Sequence, residues 1–472
     1  MLAHTNLQIG GLIGTSAALG AEPDYTPLAS GAVQREGSQR WAVIGGGILG
    51  MTLAVRLAQQ GKTVALFEAA PFLGGVAAPW QLGDIVWDRH YHVILSGDAR
   101  LRALLRELEL EAEVIWKKVG TGFYADARLH SMSNVYEFLR FPPLGVVEKL
   151  RLAATILRVS SIKDPRPLEK VLVEHWLRKW SGTAATQKLW LPLLRAKLGE
   201  SYQQTSAAFI WATIARLYGA RRTGGKAEVF GYVPGGYARI IERFESLLSQ
   251  NGVEIRRRQA VRSVTSSSAG KLRVEFGPSC SEVFSHAVVT TAAPLALDMC
   301  PELSSAEKGR LRAIQYQGIV CASLLLRNPL SRFYVTNIAD PSVPYTAVVE
   351  MSALLERDQL GGRGLVYLPK YVSPDSRYFT LSDQQIREEF EPAFARMYPG
   401  FQCGDTLSFK VSRVKYLLPI PTLHYSASLP NAATSVRGLY IVNSAQIVDG
   451  TLNVNETVRL AESAARSLAS CN

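Results

Sequence analysis

The sequence predicts an α/β fold with two domains: a doubly wound domain built on a parallel sheet, and a second domain that joins a mixed β-sheet to a helical cap. Three observations predict this architecture. The 472 residues are about three times the usual length of a single domain. An apolar strand, a glycine-rich turn and a helical pattern follow one another over residues 41–60. A helical, tryptophan-containing segment lies between residues 99 and 227.

Composition excludes a disordered chain and a membrane-spanning one. Hydrophobic residues make up 47% of the chain and charged residues 19%, so there is enough apolar surface to build a core. The longest nearly uncharged apolar stretches, such as residues 287–297, are shorter than the roughly 18 residues that a spanning helix needs. We therefore expect no transmembrane helix.

The cysteines and the N-terminal residues bear on location. Five cysteines, an odd number with no C-x-x-C pair, fit neither a disulfide framework nor a zinc site. We therefore expect no metal site and a cytoplasmic protein.

Residues 12–21 have the apolar character of a signal peptide, but no Lys or Arg precedes them. We interpret residues 1–38 as a disordered leader ahead of the first domain.

The glycine-rich turn has the spacing of a dinucleotide site. An apolar strand, residues 41–44, runs into residues 45–50, which read G-G-G-I-L-G and open a helical pattern. Gly45 allows the tight turn, Gly47 leaves room for a pyrophosphate, and Gly50 lets the helix approach the strand closely. The N–H groups at the start of the helix would face the phosphates. The predicted contacts of this turn are with Gly45, Gly47, Ile48, Leu49 and Gly50.

A carboxylate follows the second strand at a position that suits a ribose. The apolar strand Thr63–Phe67 ends at Glu68, 18 residues after Gly50. A carboxylate there accepts hydrogen bonds from two ribose hydroxyls and repels a 2′-phosphate. The sequence therefore predicts a dinucleotide with an unphosphorylated adenosine ribose.

A second glycine pair follows this carboxylate. Residues 68–76 read E-A-A-P-F-L-G-G-V, so Gly74 and Gly75 come shortly after Glu68 and Ala69. With this pair, the N-terminal segment resembles the FAD fingerprint of the flavin-containing amine oxidase superfamily, which includes protoporphyrinogen oxidases, phytoene desaturases and monoamine oxidases. The resemblance implies that FAD is the cofactor and that the second glycine pair approaches its phosphates. Val76 departs from the family, which often has a basic residue there.

A stretch in the middle of the chain supports the resemblance. Residues 235–237 read G-G-Y, and an amphipathic helical pattern follows them. Together with residues 252–261, this stretch resembles the family's middle FAD segment. The resemblance implies that the backbone at Val261 contacts the adenine.

The C-terminal stretch supports it as well. A strand over residues 438–442 precedes residues 452–456, which open a helix. The resemblance implies that Leu452 and Asn453 lie at the flavin's pyrimidine edge, where a helix N-terminus stabilises the negative charge of reduced flavin. Asn453 equally fits an N-cap of its own helix. Asn443 and Ser444 stand where the family usually has Gly-Asp. We therefore expect Asp449 or the backbone to make the ribityl or phosphate contacts of that pair.

The resemblance covers about residues 41–467 and implies a discontinuous FAD-binding domain. We assign to that domain residues 39–98, 228–292 and 436–472. Residues 99–227 and 293–435 are then the substrate domain. The helical insertion in its first part carries Trp176, Trp180, Trp190 and Trp211, which would either line a substrate cavity or belong to the core.

The net charge of +12 is concentrated in one part of the chain. Residues 138–262 contain 22 Lys and Arg against 9 Asp and Glu. Three interpretations remain open: a solvated face, a rim for a small apolar substrate with anionic groups, or a surface that rests peripherally on anionic lipid at the inner face of the membrane. We expect no nucleic-acid partner.

Two histidines are the candidate catalytic residues. Residues 88–92 read D-R-H-Y-H and follow a predicted strand over residues 84–87. This segment matches the family's segment on the face of the flavin. His90 and His92 share one side of an extended segment, and either could donate to the flavin or carry a proton. Each could also be a buried histidine that is bonded to the backbone.

The expected reaction is hydride transfer from a large, mostly apolar substrate to FAD. Amine oxidases of the superfamily usually hold a Lys near the flavin, and the matching strand, residues 318–324, contains none. This favours dehydrogenation of carbon–carbon or carbon–nitrogen bonds, as in protoporphyrinogen oxidases and desaturases. Two alternatives are a non-redox flavoprotein mutase of the UDP-galactopyranose mutase type and a non-catalytic FAD-binding protein.

Overall fold

The computed structural model describes residues 39–133, 137, 140, 142, 144–222 and 229–469. The leader predicted over residues 1–38 lies outside the described residues. The described strands, in chain order, are β1 (Arg40–Ile44), β2 (Thr63–Phe67), β3 (Pro79–Leu82), β4 (Ile85–Asp88), β5 (Ile94–Leu95), β6 (Ile115–Lys118), β7 (Gly120–Ala125), β8 (Arg128–Ser131), β9 (Val229–Tyr232), β10 (Glu254–Arg256), β11 (Val261–Ser266), β12 (Leu272–Phe276), β13 (Cys280–Phe284), β14 (His286–Val289), β15 (Tyr316–Leu326), β16 (Phe333–Ile338), β17 (Ala347–Glu350), β18 (Gly364–Val372), β19 (Thr406–Pro419) and β20 (Leu439–Ile441).

The described α-helices, in chain order, are α1 (Ile48–Gln59), α2 (Ala99–Glu107), α3 (Val146–Ser161), α4 (Val173–Ser181), α5 (Thr183–Ala185), α6 (Leu191–Leu198), α7 (Ala208–Arg222), α8 (Gly236–Gln250), α9 (Ala293–Met299), α10 (Ser305–Ala313), α11 (Asp383–Met397), α12 (Tyr425–Ser428) and α13 (Val454–Ala469). Single turns of 3₁₀ helix and one π-helical turn connect several of them.

A five-stranded parallel sheet, in the order β10-β2-β1-β14-β20, positions the glycine-rich turn. Both faces of this sheet are covered, as parallel sheets require. Trp41 and Val43 face a cluster that includes side chains of α1, α8 and α13, whereas Ala42 and Ile44 face the antiparallel sheet β11-β12-β13. The alternation follows from the two-residue period of a strand.

A larger sheet lies beside it, in the order β19-β15-β18-β17-β16-β7-β8. Its pairings are antiparallel except that β16 runs parallel to β7. Strand β15, second from one edge of the sheet, is buried along its whole length, with one core cluster on each face of the sheet. The α/β prediction with a mixed second sheet is confirmed, whereas the domain boundaries drawn from the sequence stay a prediction.

The helical insertion packs around its own aromatic core. Trp176 and Trp190 are buried there, and Trp190 Nε1 donates to Ser181 Oγ at 3.1 Å. The half-buried Trp211 donates through Nε1 to the carbonyl of Ile162 at 3.1 Å. These tryptophans therefore hold the helices together, which is the core interpretation of their pattern.

No helix among the described residues is long and apolar enough to cross a bilayer.

Candidate functional site

The turn between β1 and α1 is shaped by close backbone contacts. Gly45 has φ +110°, a conformation that L side chains rarely adopt. A Cβ on Gly50 would lie 1.8 Å from the Gly45 carbonyl oxygen, so only glycine lets the helix come this near to the strand. Ile48 and Leu49 are buried in the first turn of α1, which has no acidic residue and no side-chain cap. The first N–H groups of α1 are therefore free to meet an anion.

Gly47 lies in open space next to the second glycine pair. The nearest atom to a Cβ built on Gly47 is the Gly75 Cα at 4.0 Å, and a Cβ on Gly75 would lie 3.2 Å from the Gly47 Cα. Gly74 donates its N–H to the Gly46 carbonyl at 2.8 Å, which ties the two glycine segments together. The structure thus brings both glycine pairs of the sequence prediction into one bare backbone surface.

The carboxylate of Glu68 faces this surface. Its Oε2 accepts the N–H of Gly46 at 2.7 Å, and its Oε1 accepts the N–H of Ala70 at 2.8 Å, while Ala69 between them is exposed. A carboxylate has about four acceptor positions, so both oxygens keep capacity for further donors. The chain itself therefore fixes the orientation of the Glu68 carboxylate, and the ribose contact stays a prediction.

The middle segment lies alongside Glu68. The Glu68 N–H donates to the Arg256 carbonyl at 2.9 Å, and the Gln259 N–H donates to the Glu68 carbonyl at 3.0 Å. Val261 follows at the start of β11 and is half-buried. The structure therefore brings together the first and middle segments that the sequence predicted to share a nucleotide, and the adenine contact itself stays a prediction.

Two buried polar atoms near this backbone lack a hydrogen-bond partner, which fits a site for a polar ligand. Gln259 Oε1 and Thr291 Oγ1 are buried and have no hydrogen-bond partner. The methyl group of Thr291 would lie 3.5 Å from a Cβ on Gly45, so its hydroxyl is close to the turn. Buried polar atoms are normally satisfied, and a bound nucleotide offers the donors and acceptors that these two lack.

Asparagine side chains cap two helical turns of the C-terminal segment. Asn443 is buried, and its Oδ1 accepts the N–H of Ala445 at 3.0 Å, so its side chain caps a 3₁₀ turn. Asp449 is exposed. Asn453 Oδ1 accepts the N–H of Glu456 at 3.1 Å, which makes Asn453 the N-cap of α13. The capping interpretation of Asn453 is therefore confirmed, whereas flavin contacts at Asp449, Leu452 and Asn453 stay predictions.

The segment after β4 forms a buried polar cluster. Asp88 is 2% exposed, and its Oδ1 accepts the N–H of Tyr237 at 2.7 Å in the first turn of α8. Burial raises the pKa of Asp88 to about 8, and the hydrogen bond from Tyr237 opposes part of that rise. Asp88 is therefore mostly protonated at neutral pH.

The two predicted histidines contact different elements. His90 is buried, with its Nε2 3.0 Å from the Ser412 Oγ on β19. His92 is half-buried, with its Nδ1 2.9 Å from the His90 carbonyl oxygen and its ring 4.8 Å from that of Tyr237. Burial lowers the pKa of His90 to about 3, helped by His92 and Arg89, and burial lowers the pKa of His92 to about 4. Both imidazoles are neutral at pH 7, and their catalytic role stays a prediction.

Sequence reasoning did not single out Asp88, Arg89 or Tyr237 as site residues. Arg89 stacks over the rings of Phe72 and Trp80, and its Nε is buried without a partner, as is the hydroxyl of Tyr237. Asp88 and Tyr237 are far apart in the chain, so only the fold reveals their contact. The polar run D-R-H-Y-H was the available signal, and it pointed to the segment rather than to these side chains.

Asp88→Asn tests the buried carboxyl. In the unfolded chain this group titrates near its ordinary value, so with rising pH the unfolded state loses its proton first. The free energy of unfolding of the wild type should then fall between about pH 4 and pH 8, by up to about 1.4 kcal/mol per pH unit. Asn keeps an acceptor for Tyr237 and has no such proton. Urea unfolding should show the variant gaining stability relative to the wild type as the pH rises, and parallel curves would contradict the raised pKa.

A narrow cleft of about 30 Å³, lined mostly by apolar residues, opens between the helical cap and the C-terminal segment. Its apolar lining includes Phe209, Leu418, Tyr425, Ile447, Val448 and Leu452. Among the described residues, no Lys or Arg lines it. Its one carboxylate, Glu169, is buried and accepts the N–H and the hydroxyl of Ser426 at 3.1 and 2.7 Å. The tryptophans of the insertion do not line this cleft.

Comparisons with known proteins show which proteins this chain resembles. Zeta-carotene desaturase from Zea mays is 27% identical over 207 residues, which are 38% of this chain and 35% of that protein. Carotenoid phi-ring synthase from Streptomyces griseus is 38% identical over 157 residues, which are 31% of this chain and 30% of that protein. Each match spans about a third of the length of the curated relative.

The fold resembles that of solved oxidoreductases. The structure of an oxidoreductase from Methanosarcina mazei has a TM-score of 0.70 at 18% identity and covers 90% of this chain and all of that one. Residues 50–468 match the family described as flavin-containing amine oxidoreductase, which is most of the chain. The chain therefore belongs to the flavin-containing amine oxidoreductase family and is a flavin-dependent oxidoreductase.

Proposed function

We propose that this protein is an FAD-dependent dehydrogenase that forms a carbon–carbon double bond in a large, apolar and uncharged substrate of the carotenoid-precursor class. The observation that carries the proposal is the apolar cleft beside residues 444–452, where no described Lys or Arg contributes to the lining. A substrate with carboxylates or phosphates would need a cation there to offset the cost of leaving water.

The identity of the cofactor as FAD is supported by the bare backbone around Gly47 and Gly75 together with the preset carboxylate of Glu68. The segments from Gly45 to Gly50, Gly74 to Gly75 and the backbone near Val261 would hold the ADP part. The segment at Leu452 and Asn453 would lie toward the flavin ring. When bound, the flavin would supply the hydride acceptor, and the protein would supply binding, orientation and electrostatics.

The protein's own contribution to the reaction would be an apolar and charge-poor surrounding. The one carboxylate of the cleft, Glu169, accepts two hydrogen bonds from Ser426, and no described Lys or Arg lines the cleft. Apolar side chains that line the cleft, such as Phe209, Leu418 and Ile447, would contact the hydrocarbon and exclude water from it.

The absence of a Lys on β15 favours dehydrogenation of carbon rather than amine oxidation. β15 reads Y-Q-G-I-V-C-A-S-L-L-L. Lys370 lies on the neighbouring strand, opposite Val320, but its Nζ donates to the carbonyl of Pro344 and packs 4.6 Å from the Tyr378 ring centroid. Its ammonium group therefore contacts Pro344 and Tyr378 rather than β15.

Anaerobic bleaching of the purified flavoprotein tests the proposal. The panel contains phytoene and zeta-carotene as uncharged polyenes, protoporphyrinogen as an anionic tetrapyrrole, putrescine as an amine and UDP-galactopyranose as a nucleotide sugar. We expect a carotenoid precursor to bleach the flavin and to gain a double bond. Bleaching by protoporphyrinogen or putrescine alone would contradict the substrate class.

Two further outcomes identify the alternatives. Turnover of UDP-galactopyranose that needs dithionite and yields no net oxidation would indicate a mutase. A bound flavin that none of the panel bleaches, with dithionite bleaching it normally, would indicate a binding protein without this catalysis.

Ile447→Arg tests whether the substrate is uncharged. Ile447 is half-buried in the lining of the cleft, so the variant places a guanidinium against the substrate. For a neutral polyene we expect kcat/KM to fall by roughly tenfold or more, because the cation loses water without gaining a partner. The matched control is Ile447→Met, which keeps an apolar chain and should stay near the wild type. A rise in kcat/KM with the arginine would indicate an anionic substrate.

A further inference from the structure

Helix α3 carries a stripe of exposed apolar side chains. The four most exposed large apolar residues among those the structure describes all belong to it: Val146 at 74%, Leu150 at 66%, Val147 at 65% and Leu157 at 60%. Exposed Ala153 and Ala154 fill the turn between Leu150 and Leu157. Because these positions recur at helical spacing, they form one face along the length of the helix.

The opposite face of α3 anchors it to the cap. Leu152, Thr155 and Val159 are buried there, and the helix packs against α4 and α7. The orientation of the exposed stripe is therefore set by the packing of the insertion rather than by a free helix. Single exposed apolar residues are ordinary, whereas a continuous stripe of this kind marks an interaction surface.

Cations and an aromatic ring border the stripe. Arg151 and Arg158 are exposed on α3, and Lys179 is exposed on the neighbouring end of α4. The guanidinium of Arg158 lies 4.1 Å from the Trp180 ring centroid, the Nζ of Lys179 lies 5.8 Å from it, and Arg151 Nη2 donates to the Lys179 carbonyl at 3.3 Å. The one acidic residue of α3, Glu148, is half-buried beside Gly145 at its N-terminus. The stripe is thus apolar in the middle and positive at its edge.

We propose that α3 is the surface by which this protein docks on a lipid bilayer with anionic headgroups, with the apolar stripe in the acyl boundary and the cations at the phosphates. An amphipathic helix with large apolar residues on one face and Arg or Lys beside them binds in this way. A second copy of the chain fits less well, since a twofold contact of α3 with itself would place Arg151 and Arg158 near their own copies.

The docking surface and the cleft are connected through one helix, α7. α3 packs on α7, and the first turn of α7 supplies Ala208 and Phe209 to the apolar cleft. A bilayer bound at α3 would hold the cap, and with it the cleft, at the membrane surface. The value of holding the cleft at the membrane surface rests on the proposed function, because only an apolar substrate would be dissolved in the bilayer. The docking itself does not depend on turnover.

Vesicle flotation of the full chain tests the proposal. The vesicles contain phosphatidylcholine alone or phosphatidylcholine with phosphatidylglycerol. We expect the wild type to float with the anionic vesicles, much less with the neutral ones, and to be released by roughly 1 M salt. The double variant Leu150→Glu/Leu157→Glu should lose at least about tenfold in partitioning, because it places two carboxylates on the docking face.

A matched control carries the same change elsewhere. Leu295 and Leu407 are 46% and 45% exposed and lie outside α3, so Leu295→Glu/Leu407→Glu should float like the wild type. The milder pair Leu150→Gln/Leu157→Gln should show the same loss to a smaller extent. Flavin retention and thermal unfolding, measured on each variant, confirm that the fold is intact.

Three results would overturn the proposal. The first is wild-type protein that binds neither vesicle or binds both equally, and the second is an α3 variant that floats like the wild type. The third is a wild-type oligomer that the α3 variant converts to a monomer in light scattering, which would assign the stripe to a second copy. Since flotation needs no substrate, failure here would leave the proposed dehydrogenase untouched.

Discussion

Gly47→Val should lower the affinity for FAD by roughly 100-fold or more while the apoprotein stays folded. The backbone of Gly47 is extended, with φ −72° and ψ 175°, which suits a β-branched residue, and the nearest atom to its Cβ position is 4.0 Å away. The chain itself therefore has room for a Cβ at this position. A pyrophosphate on this backbone does not, because valine would occupy the space that the phosphates need.

Two measurements separate these effects. Isothermal titration of the apoprotein with FAD gives the affinity, and thermal unfolding of the apoprotein gives the stability. Gly400→Val is the matched control, since its Cβ position is also open and it lies far along the chain from the turn. If Gly47→Val binds FAD as tightly as the control does, the phosphates lie elsewhere.

Glu68→Ala should weaken FAD binding by roughly 10- to 100-fold, because hydrogen bonds to a charged acceptor contribute about 1.5–3 kcal/mol each. The carboxylate is already oriented by the N–H groups of Gly46 and Ala70 at 2.7 and 2.8 Å. Its removal leaves both donors without that acceptor, so the apoprotein should also lose about 1–3 kcal/mol of its free energy of unfolding.

The control for Glu68→Ala removes the same charge one strand away. Glu254 lies on β10 next to β2 and contacts Arg40 and Arg256 rather than the turn. Glu254→Ala should retain FAD, as measured by the flavin that remains after gel filtration. Equal retention by both variants would show that Glu68 is not the ribose acceptor.

Much of the structure around the glycine-rich turn could be predicted, because the residues that determine it are adjacent in the sequence. The strand, turn and helix at 40–59 and the carboxylate after β2 are fixed by residues adjacent in sequence, and the structure brings them together with the second glycine pair. Gly45 has φ +110°, and a Cβ on Gly50 would lie 1.8 Å from the Gly45 carbonyl oxygen. The backbone alone therefore requires glycine at both positions, so a single sequence reveals them.

The rest depends on contacts between distant segments. The hydrogen bond from Tyr237 to Asp88 and the lining of the apolar cleft, which combines α7, β19 and residues 444–452, have no signature in adjacent residues. The tryptophans of the insertion carry the same pattern whether they line a cavity or fill a core, and only packing decides between the two. The basic excess was visible in the sequence, but the sequence did not show that its described members lie outside the lining of the cleft.

We propose above that one FAD binds with its ADP part against the turn between β1 and α1, and that its flavin ring, toward Leu452 and Asn453, accepts the hydride. The most direct test is to denature the purified protein, identify the released cofactor by mass, and record the visible spectrum of the native protein before and after anaerobic zeta-carotene or phytoene. We expect one FAD for each chain and loss of the flavin absorption with a carotenoid precursor. A colourless protein that releases NAD, or that takes up no flavin, would contradict it.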